Sequence, residues 1–159
     1  MTTTTTTETV NASTFRVEFS TSIEIDRPAA AVWSALTDRE QYPHWNTFIR
    51  SWQGELSIGA RQLVRIEPTE TMGQTFRPRI TDLETGRLIV WLGRVAIPGL
   101  LDGRHRFEIV PIDEHRSRLV HGEVLSGALV PVFRRMLTVD TPAAFSRMNT
   151  ELAAHAEAA

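Results

Sequence analysis

The feature that most constrains this chain is a stretch of strict alternation close to its start. Every second position between residues 15 and 25 is apolar or threonine, namely Phe15, Val17, Phe19, Thr21, Ile23 and Ile25. Mostly charged and serine side chains occupy the positions between them. Because successive side chains of a strand point to opposite faces, this pattern predicts a long strand with one buried face.

After this strand the pattern changes to short elements separated by turns. Residues 29–36 are predicted as a short helix, and residues 38–45 as a second short helix or a tight turn. Six further strands are predicted over residues 48–56, 61–67, 75–83, 87–95, 104–112 and 116–125. Spacings this short, with tight turns between them, favour an antiparallel meander over parallel strand–helix–strand units.

Helical spacing returns at the end of the chain. Apolar residues recur at intervals of three and four, at Leu129, Val132, Phe133, Met136, Leu137, Phe145, Met148 and Leu152. Pro142 does not fit a helix interior, so a break or kink is predicted near residues 138–141. A second helical segment is predicted over residues 141–158.

These elements predict an α+β fold in which about seven antiparallel strands curve round one long C-terminal helix. One helix covers only part of such a sheet, so some of the enclosed space is expected to remain open as a cavity. Residues 1–13 are threonine-rich and without hydrophobic period, which predicts a disordered tail. Residues 14–159 are predicted to form a single domain.

Composition removes several classes of function. The chain has 159 residues, a net charge of -2 and no cysteine. Such a charge gives no footprint for nucleic acid, and the absence of thiols excludes disulfide scaffolds and thiolate metal sites. We expect a cytoplasmic protein, a monomer or homodimer, with no membrane insertion.

Several short motifs, in order, resemble one family. They are VWSALTD at 32–38, YPHWN at 42–46, GEL at 54–56, GAR at 59–61, WLGR at 91–94, PGLLDG at 98–103 and HRF at 105–107. Together they resemble the START-like (SRPBCC, birch-pollen-allergen-like) superfamily, and the resemblance covers about residues 15–157. One departure is Gln62-Leu63, where the resemblance implies an apolar residue first and a polar one second.

The resemblance implies a helix-grip fold, with a curved antiparallel sheet around the terminal helix and a deep cavity between them. Members bind hydrophobic or amphipathic small molecules. Some are carriers or sensors, and others are aromatase/cyclases and dehydratases that act on polyketides. The fold does not select among these activities. No cofactor and no metal are expected.

The most informative polar residues lie on the last predicted hairpin. Alternation places His105 with Phe107, and His121 with Glu123, on the inner face. A short loop at residues 113–115 would set His105 opposite Glu123 and Phe107 opposite His121. A carboxylate beside a histidine raises the pKa of the imidazole and orients its ring.

Three interpretations of this group remain open. The residues could form a buried pair that satisfies its own hydrogen bonds, or they could contact a ligand. In the third interpretation, His121 and Glu123 are the acid–base residues of an enzyme and His105 assists them. A metal site is a weaker alternative, because no helix-borne ligand spacing supports it.

Aromatic and apolar side chains supply the candidate ligand-binding residues, which are Trp45, Phe48, Trp52, Phe76, Arg79, Trp91, Phe107, Phe133, Met136 and Phe145. For each aromatic, core packing is the alternative. Arg79 and Arg94 could orient a ligand carboxylate near the mouth of the cavity, or be solvated surface. The apolar loop at residues 96–101 could pack on a helix, form the cavity mouth or contact a second subunit.

Binding of a hydrophobic or amphipathic small molecule is therefore the leading hypothesis. The alternatives are a cofactor-independent cyclase or dehydratase, and a protein-interaction module.

Overall fold

The computed structural model describes residues 6–159, which contain nine strands and three α-helices. The strands are β1 (Thr6–Ala12), β2 (Arg16–Ile25), β3 (Ile49–Gln53), β4 (Leu63–Thr69), β5 (Met72–Phe76), β6 (Arg79–Glu84), β7 (Leu88–Val95), β8 (Leu101–Pro111) and β9 (Ser117–Ser126). The helices are α1 (Ala29–Thr37), α2 (Tyr42–Trp45) and α3 (Thr141–Ala158). A 3₁₀ turn, Arg39–Gln41, connects the two short helices.

Two antiparallel sheets form one wall around α3. The larger sheet has the order β1-β2-β9-β8-β7-β6, and the smaller has the order β3-β4-β5. An isolated bridge between Arg61 and Arg79 joins the two sheets. The α+β class and the helix-grip arrangement are thus confirmed.

The inner face of β2 shows how the sequence pattern becomes core. Val17, Phe19, Ile23 and Ile25 are buried, as alternation predicts. On α3, residues at helical spacing bury one face, at Phe145, Met148, Asn149, Leu152 and Ala156. The exception is Phe15, which lies just before the strand and is 59% exposed.

The prediction of a disordered tail over residues 1–13 needs correction where the structure describes it. Strand β1 pairs along its whole length with β2, from Thr6 opposite Ile23 to Ala12 opposite Val17. All its side chains are exposed, so it has no hydrophobic period for a sequence argument to detect. Backbone hydrogen bonds to β2 hold it instead, and β1 is the edge strand of the larger sheet. Residues 1–5 lie outside the described residues.

The strand predicted over residues 75–83 is two strands in two sheets. β5 ends at Phe76 and β6 begins at Arg79. Pro78 between them lacks the N–H that a continuous ladder would need, although its carbonyl accepts a bond from the amide of Gln62 at 2.8 Å. This split and the addition of β1 raise the count from about seven strands to nine.

The predicted break near residues 138–141 is also present. Met136–Asp140 forms a π-helical turn, and α3 begins at Thr141 with Pro142 in its first turn. There the missing N–H of proline costs no intrahelical bond. The segment before it differs from prediction: residues 127–133 are bends and turns, and Val132 is 70% exposed.

The unusual Gln62-Leu63 pair is explained by packing. Gln62 is buried, where its Oε1 accepts a hydrogen bond from Trp52 Nε1 at 2.9 Å and its Nε2 donates to the Glu55 carbonyl at 2.8 Å. Leu63 is 39% exposed. A polar residue therefore takes the inward position because an indole N–H requires an acceptor there.

Candidate functional site

A cavity of about 360 Å³ lies between the strands and the start of α3. Its walls are mostly apolar and come from β4, β5, β7, β8, β9, the π-helical turn, the first residue of α3 and the residue before β3. They include Phe48, Val64, Ile66, Phe76, Trp91, Leu101, Leu125, Met136, Leu137 and Thr141. Met72 and Gln74 of β5 both line it and are exposed to solvent. The mouth is therefore on the β5 side.

Two histidines form a direct pair beneath this cavity. Nε2 of His105 lies 2.7 Å from Nε2 of His121, and both residues are buried. Strand pairing sets His105 opposite Glu123 and Phe107 opposite His121, so the predicted register of the hairpin is confirmed. Of the two histidines, only His105 lines the cavity.

Behind His121 the polar contacts continue away from the cavity. His121 Nδ1 lies 2.9 Å from Asn149 Oδ1 on α3. Asn149 Nδ2 donates to Thr21 Oγ1 at 2.8 Å. Thr21 Oγ1 in turn donates to the backbone carbonyl of His121 at 2.7 Å. Elements β2, β9 and α3 thus share one buried chain of hydrogen bonds.

Aromatic rings enclose both imidazoles. His121 stacks between Phe107 and Phe145, with ring centroids 4.5 and 4.0 Å away. His105 lies 4.7 Å from Trp91 and 4.6 Å from Phe145. In such surroundings the charged imidazolium is poorly solvated.

The pKa values of both histidines follow from this burial. Burial lowers the pKa of His121 to about 3, although the hydrogen bond to Asn149 opposes the shift. Burial, and then repulsion from His121, hold the pKa of His105 well below its usual range. Both rings are neutral at pH 7.

Glu123 is the acidic group of the cavity. It is half-buried, and its carboxyl lies over Gly103 of the neighbouring strand, where a Cβ would come within 2.5 Å of Oε1. Among residues 6–159 it has no hydrogen-bond partner. Burial raises its pKa to about 8.

The carboxylate–imidazole pair expected from the sequence is therefore replaced by an imidazole–imidazole pair. Glu123 is opposite His105 in the ladder, but no hydrogen bond joins them. The direction of the histidine shifts is also opposite to the expected one, because burial acts without a charged partner.

The predicted site residues separate into two groups. Those that line the cavity are His105, Glu123, Phe48, Phe76, Trp91 and Met136. Those outside its lining are His121, Trp45, Trp52, Arg79, Phe107, Phe133 and Phe145. Phe107 and Phe145 support the histidine rings, whereas Trp45 stacks on His155.

Charged and loop residues occupy the rim. Arg94 lines the cavity and lies 3.5 Å from Asp102, while Arg79 is exposed outside it. In the loop at residues 96–101, Ile97 is 64% exposed and Leu101 contributes to the cavity wall. The Leu100 carbonyl accepts a hydrogen bond from the Leu129 amide, so the loop packs against the turn segment after β9.

Sequence reasoning missed Thr21 and Asn149 as functional candidates. The sequence pattern could have identified both residues. Thr21 interrupts the apolar face of β2, and Asn149 lies four residues after Phe145 on the buried face of α3. A polar residue on each of two facing apolar surfaces indicates a hydrogen-bonded contact between them.

The described residues contain neither a metal-binding cluster nor a membrane-spanning helix. Within residues 6–159, no three His, Asp or Glu side chains come close enough together to hold a metal ion. In the same part of the chain, none of the helices has the length and apolar character needed to cross a membrane.

Similar folds occur in solved structures at low sequence identity. The Zhui aromatase/cyclase from Streptomyces sp. R1128 is 18% identical, with a TM-score of 0.74 over 89% of this chain and 94% of that one. A START superfamily protein from Mycobacterium smegmatis is 18% identical, with a TM-score of 0.71 over 89% and 97%. Norcoclaurine synthase from Thalictrum flavum, in complex with dopamine and hydroxybenzaldehyde, is 10% identical, with a TM-score of 0.63 over 98% and 88%.

No curated protein matches the sequence. The family described as polyketide cyclase / dehydrase and lipid transport matches residues 16–157, which include every strand from β2 onward and nearly all of α3. The grip of the sheet on α3 and the cavity between them agree with this match: the chain belongs to the polyketide cyclase / dehydrase and lipid transport family.

Proposed function

We propose that the protein binds an uncharged hydrophobic or amphipathic small molecule in the cavity, as a carrier or a sensor. The cavity itself carries the proposal. Its volume of about 360 Å³ falls in the range of roughly 300–1,000 Å³ that is typical of small-molecule sites. Its walls are apolar with few polar groups, as such sites require.

The aromatic walls favour a ligand that contains a flat ring. Phe48, Phe76 and Trp91 all line the cavity, and their faces offer stacking surfaces. The norcoclaurine synthase neighbour is in complex with dopamine and hydroxybenzaldehyde, both of which contain aromatic rings. This supports the same ligand type here.

The charge of the cavity favours an uncharged ligand. His105 is neutral at pH 7, and the pKa of about 8 keeps Glu123 mostly protonated. Arg94 is at the rim beside Asp102. A ligand carboxylate inside the cavity would therefore lose its hydration without gaining a cation.

Thermal unfolding with 2-methoxynaphthalene as probe tests this proposal. A ligand that binds only the folded state raises the unfolding temperature with its concentration. Gln74→Trp should reduce this shift by filling the mouth, while Thr75→Trp, on the outward face of β5, should retain it. No shift with this probe or with fatty alcohols, or an equal shift in both variants, would contradict the proposal.

We infer further that this carrier is cytoplasmic and is a monomer or a homodimer. Its lack of cysteine agrees with a reducing compartment. Analytical ultracentrifugation distinguishes the two states, and a larger assembly would contradict the inference.

One observation favours a second candidate, a cofactor-independent dehydratase. A protonated carboxyl and a neutral imidazole lie on neighbouring strands at the cavity wall, in Glu123 and His105. An imidazole in this state can remove the α-proton of a β-hydroxy ketone, and the carboxyl can protonate the departing hydroxyl, giving an enone and water. Here His105 takes the place in the acid–base pair with Glu123 that the sequence suggested for His121.

Turnover of 4-hydroxy-4-phenylbutan-2-one tests the second candidate, since its enone product absorbs in the near ultraviolet. The wild type should form enone, and Glu123→Gln and His105→Gln should each lower the rate by about 10²–10⁴-fold. Glu18→Gln, on the exposed face of β2, should leave it unchanged. Equal rates in all four proteins would reject the enzyme hypothesis and leave the ligand-binding proposal standing.

A further inference from the structure

The donor and the acceptor of each hydrogen bond behind His105 follow from the hydrogens that each group carries and from the contact distances. Thr21 has a single hydroxyl hydrogen, and the backbone carbonyl of His121 can only accept. Because that carbonyl lies 2.7 Å from Thr21 Oγ1, the hydroxyl hydrogen is used there. Thr21 Oγ1 must then accept from the group 2.8 Å away on Asn149, which is therefore the amide NH₂.

The orientation of Asn149 fixes the tautomers of both imidazole rings. With its NH₂ directed at Thr21, Asn149 presents Oδ1 to His121, so Nδ1 of His121 carries the hydrogen. In a neutral imidazole the other nitrogen is then bare. Nε2 of His121 consequently accepts, and the 2.7 Å contact requires Nε2 of His105 to donate. His105 is left with a bare Nδ1.

That bare nitrogen belongs to the ring that lines the cavity. Within residues 6–159, no donor forms a hydrogen bond with Nδ1 of His105. His105 contributes to the cavity wall, whereas Thr21, Asn149 and His121 do not. A hydrogen bond from a ligand donor to this nitrogen stabilises the complex, because a polar nitrogen at an apolar wall otherwise lacks a partner.

We propose that Thr21, Asn149 and His121 are positioning residues that hold His105 in its Nε2–H tautomer, so that the cavity selects a ligand with a hydroxyl donor directed at His105 Nδ1. The ligand class is then a neutral phenol, enol or alcohol on a hydrophobic frame. This inference rests on the proposed function, because it concerns the ligand of the same cavity.

Two matched variants separate the positioning role from general stability. Thr21→Val keeps the shape of the side chain but removes the hydroxyl that orients Asn149. Thr21→Ser keeps the hydroxyl and serves as control. Both substitutions act outside the cavity, so neither changes a group that touches the ligand.

Nitrogen-15 NMR of the unliganded protein at pH 7 tests the tautomers directly. In the wild type and in Thr21→Ser, His105 should show a protonated Nε2 and a bare Nδ1, and His121 the reverse. In Thr21→Val, His105 should show a mixture of tautomers. A protonated Nδ1 on His105 in the wild type, or an unchanged spectrum in Thr21→Val, would overturn the inference.

Ligand selection is tested with 2-naphthol and 2-methoxynaphthalene, which differ in the hydroxyl donor. A hydrogen bond worth about 0.5–1.5 kcal/mol corresponds to a preference for 2-naphthol of roughly 2- to 12-fold. The ratio of the affinities for 2-naphthol and 2-methoxynaphthalene should be unchanged in Thr21→Ser and should fall towards one in Thr21→Val. Equal affinities in the wild type would overturn the selection, whereas binding of neither probe would contradict the proposed function and leave the NMR result to decide the tautomer.

Discussion

The two ends of the space between sheet and helix are built differently. At one end, near α1 and α2, Tyr42 and Trp52 are buried and pack edge to face, with centroids 6.0 Å apart. Trp52 also stacks on Phe107 at 5.9 Å. At the other end, near β5 and the π-helical turn, the walls enclose an open volume.

Trp91 lies at the boundary between the two ends. Its ring packs edge to face on Trp52, with ring centroids 4.8 Å apart, and Trp91 also lines the cavity. Neighbouring strands can therefore be packed solid at one end and remain open at the other. The difference lies in what faces them: large rings at the closed end, and a turn of helix widened ahead of Pro142 at the open end.

The largest expected contrast comes from removing a packed ring. Phe145→Ala deletes a side chain that is fully buried against Phe19, Phe48 and His121. It should lower the free energy of unfolding by about 3–5 kcal/mol, because the ring's contacts are lost and a new void remains. Urea denaturation measures the change.

Met136→Ala is its counterpart at the open end. Met136 is half-buried and already borders empty volume, so the loss should be about 1 kcal/mol or less. Equal losses in the two variants would show that the two ends are packed alike.

Substitution of two glutamines, Gln62 at the closed end and Gln74 at the open end, should give a difference in stability of intermediate size. Gln62→Leu leaves the indole N–H of Trp52 buried without its acceptor, which should cost about 1–3 kcal/mol. Gln74→Leu, at the exposed mouth of the cavity, should change stability by no more than about 0.5 kcal/mol. Urea denaturation compares the two variants. An unchanged free energy of unfolding in Gln62→Leu would mean that water accepts the hydrogen bond from the indole N–H of Trp52.

The smallest contrast appears in the dependence of stability on pH. The pKa of Glu123 rises from 4.5 to about 8 on folding, so the folded state holds the extra proton between these values. Stability contributed by this proton is present below pH 4.5 and is lost as pH rises towards 8. A difference of one bound proton limits the slope to about 1.4 kcal/mol per pH unit, and the partial exposure of Glu123 reduces it below that limit.

The histidines act in the opposite direction. Their folded pKa values lie below the ordinary 6.5, so the unfolded chain holds more protons below that pH and stability falls as pH drops from 6.5. Above about pH 7 the unfolded histidines are mostly neutral, so the decline from there to pH 8 is assigned to Glu123, and Glu123→Gln should remove it. A decline that persists in the variant would assign it to another group.

Local patterns were sufficient to predict much of the site wall. Alternation placed His105, His121 and Glu123 on one face, and the short loop after β8 gave their register correctly. The same reasoning could not predict that His105 would bond to His121 rather than to Glu123. Side-chain rotamers and the approach of Asn149 from a helix 28 residues away decide that contact.

What the sequence determined by itself was the inward face of the long strands β2, β8 and β9 and the break before α3, because these depend on periodicity and on the missing N–H of Pro142. What only the tertiary structure decided was where the interior stays empty and which imidazole meets the cavity. Those outcomes depend on how closely separate elements approach, and on burial from all sides, neither of which is encoded in the spacing of residues along a single strand.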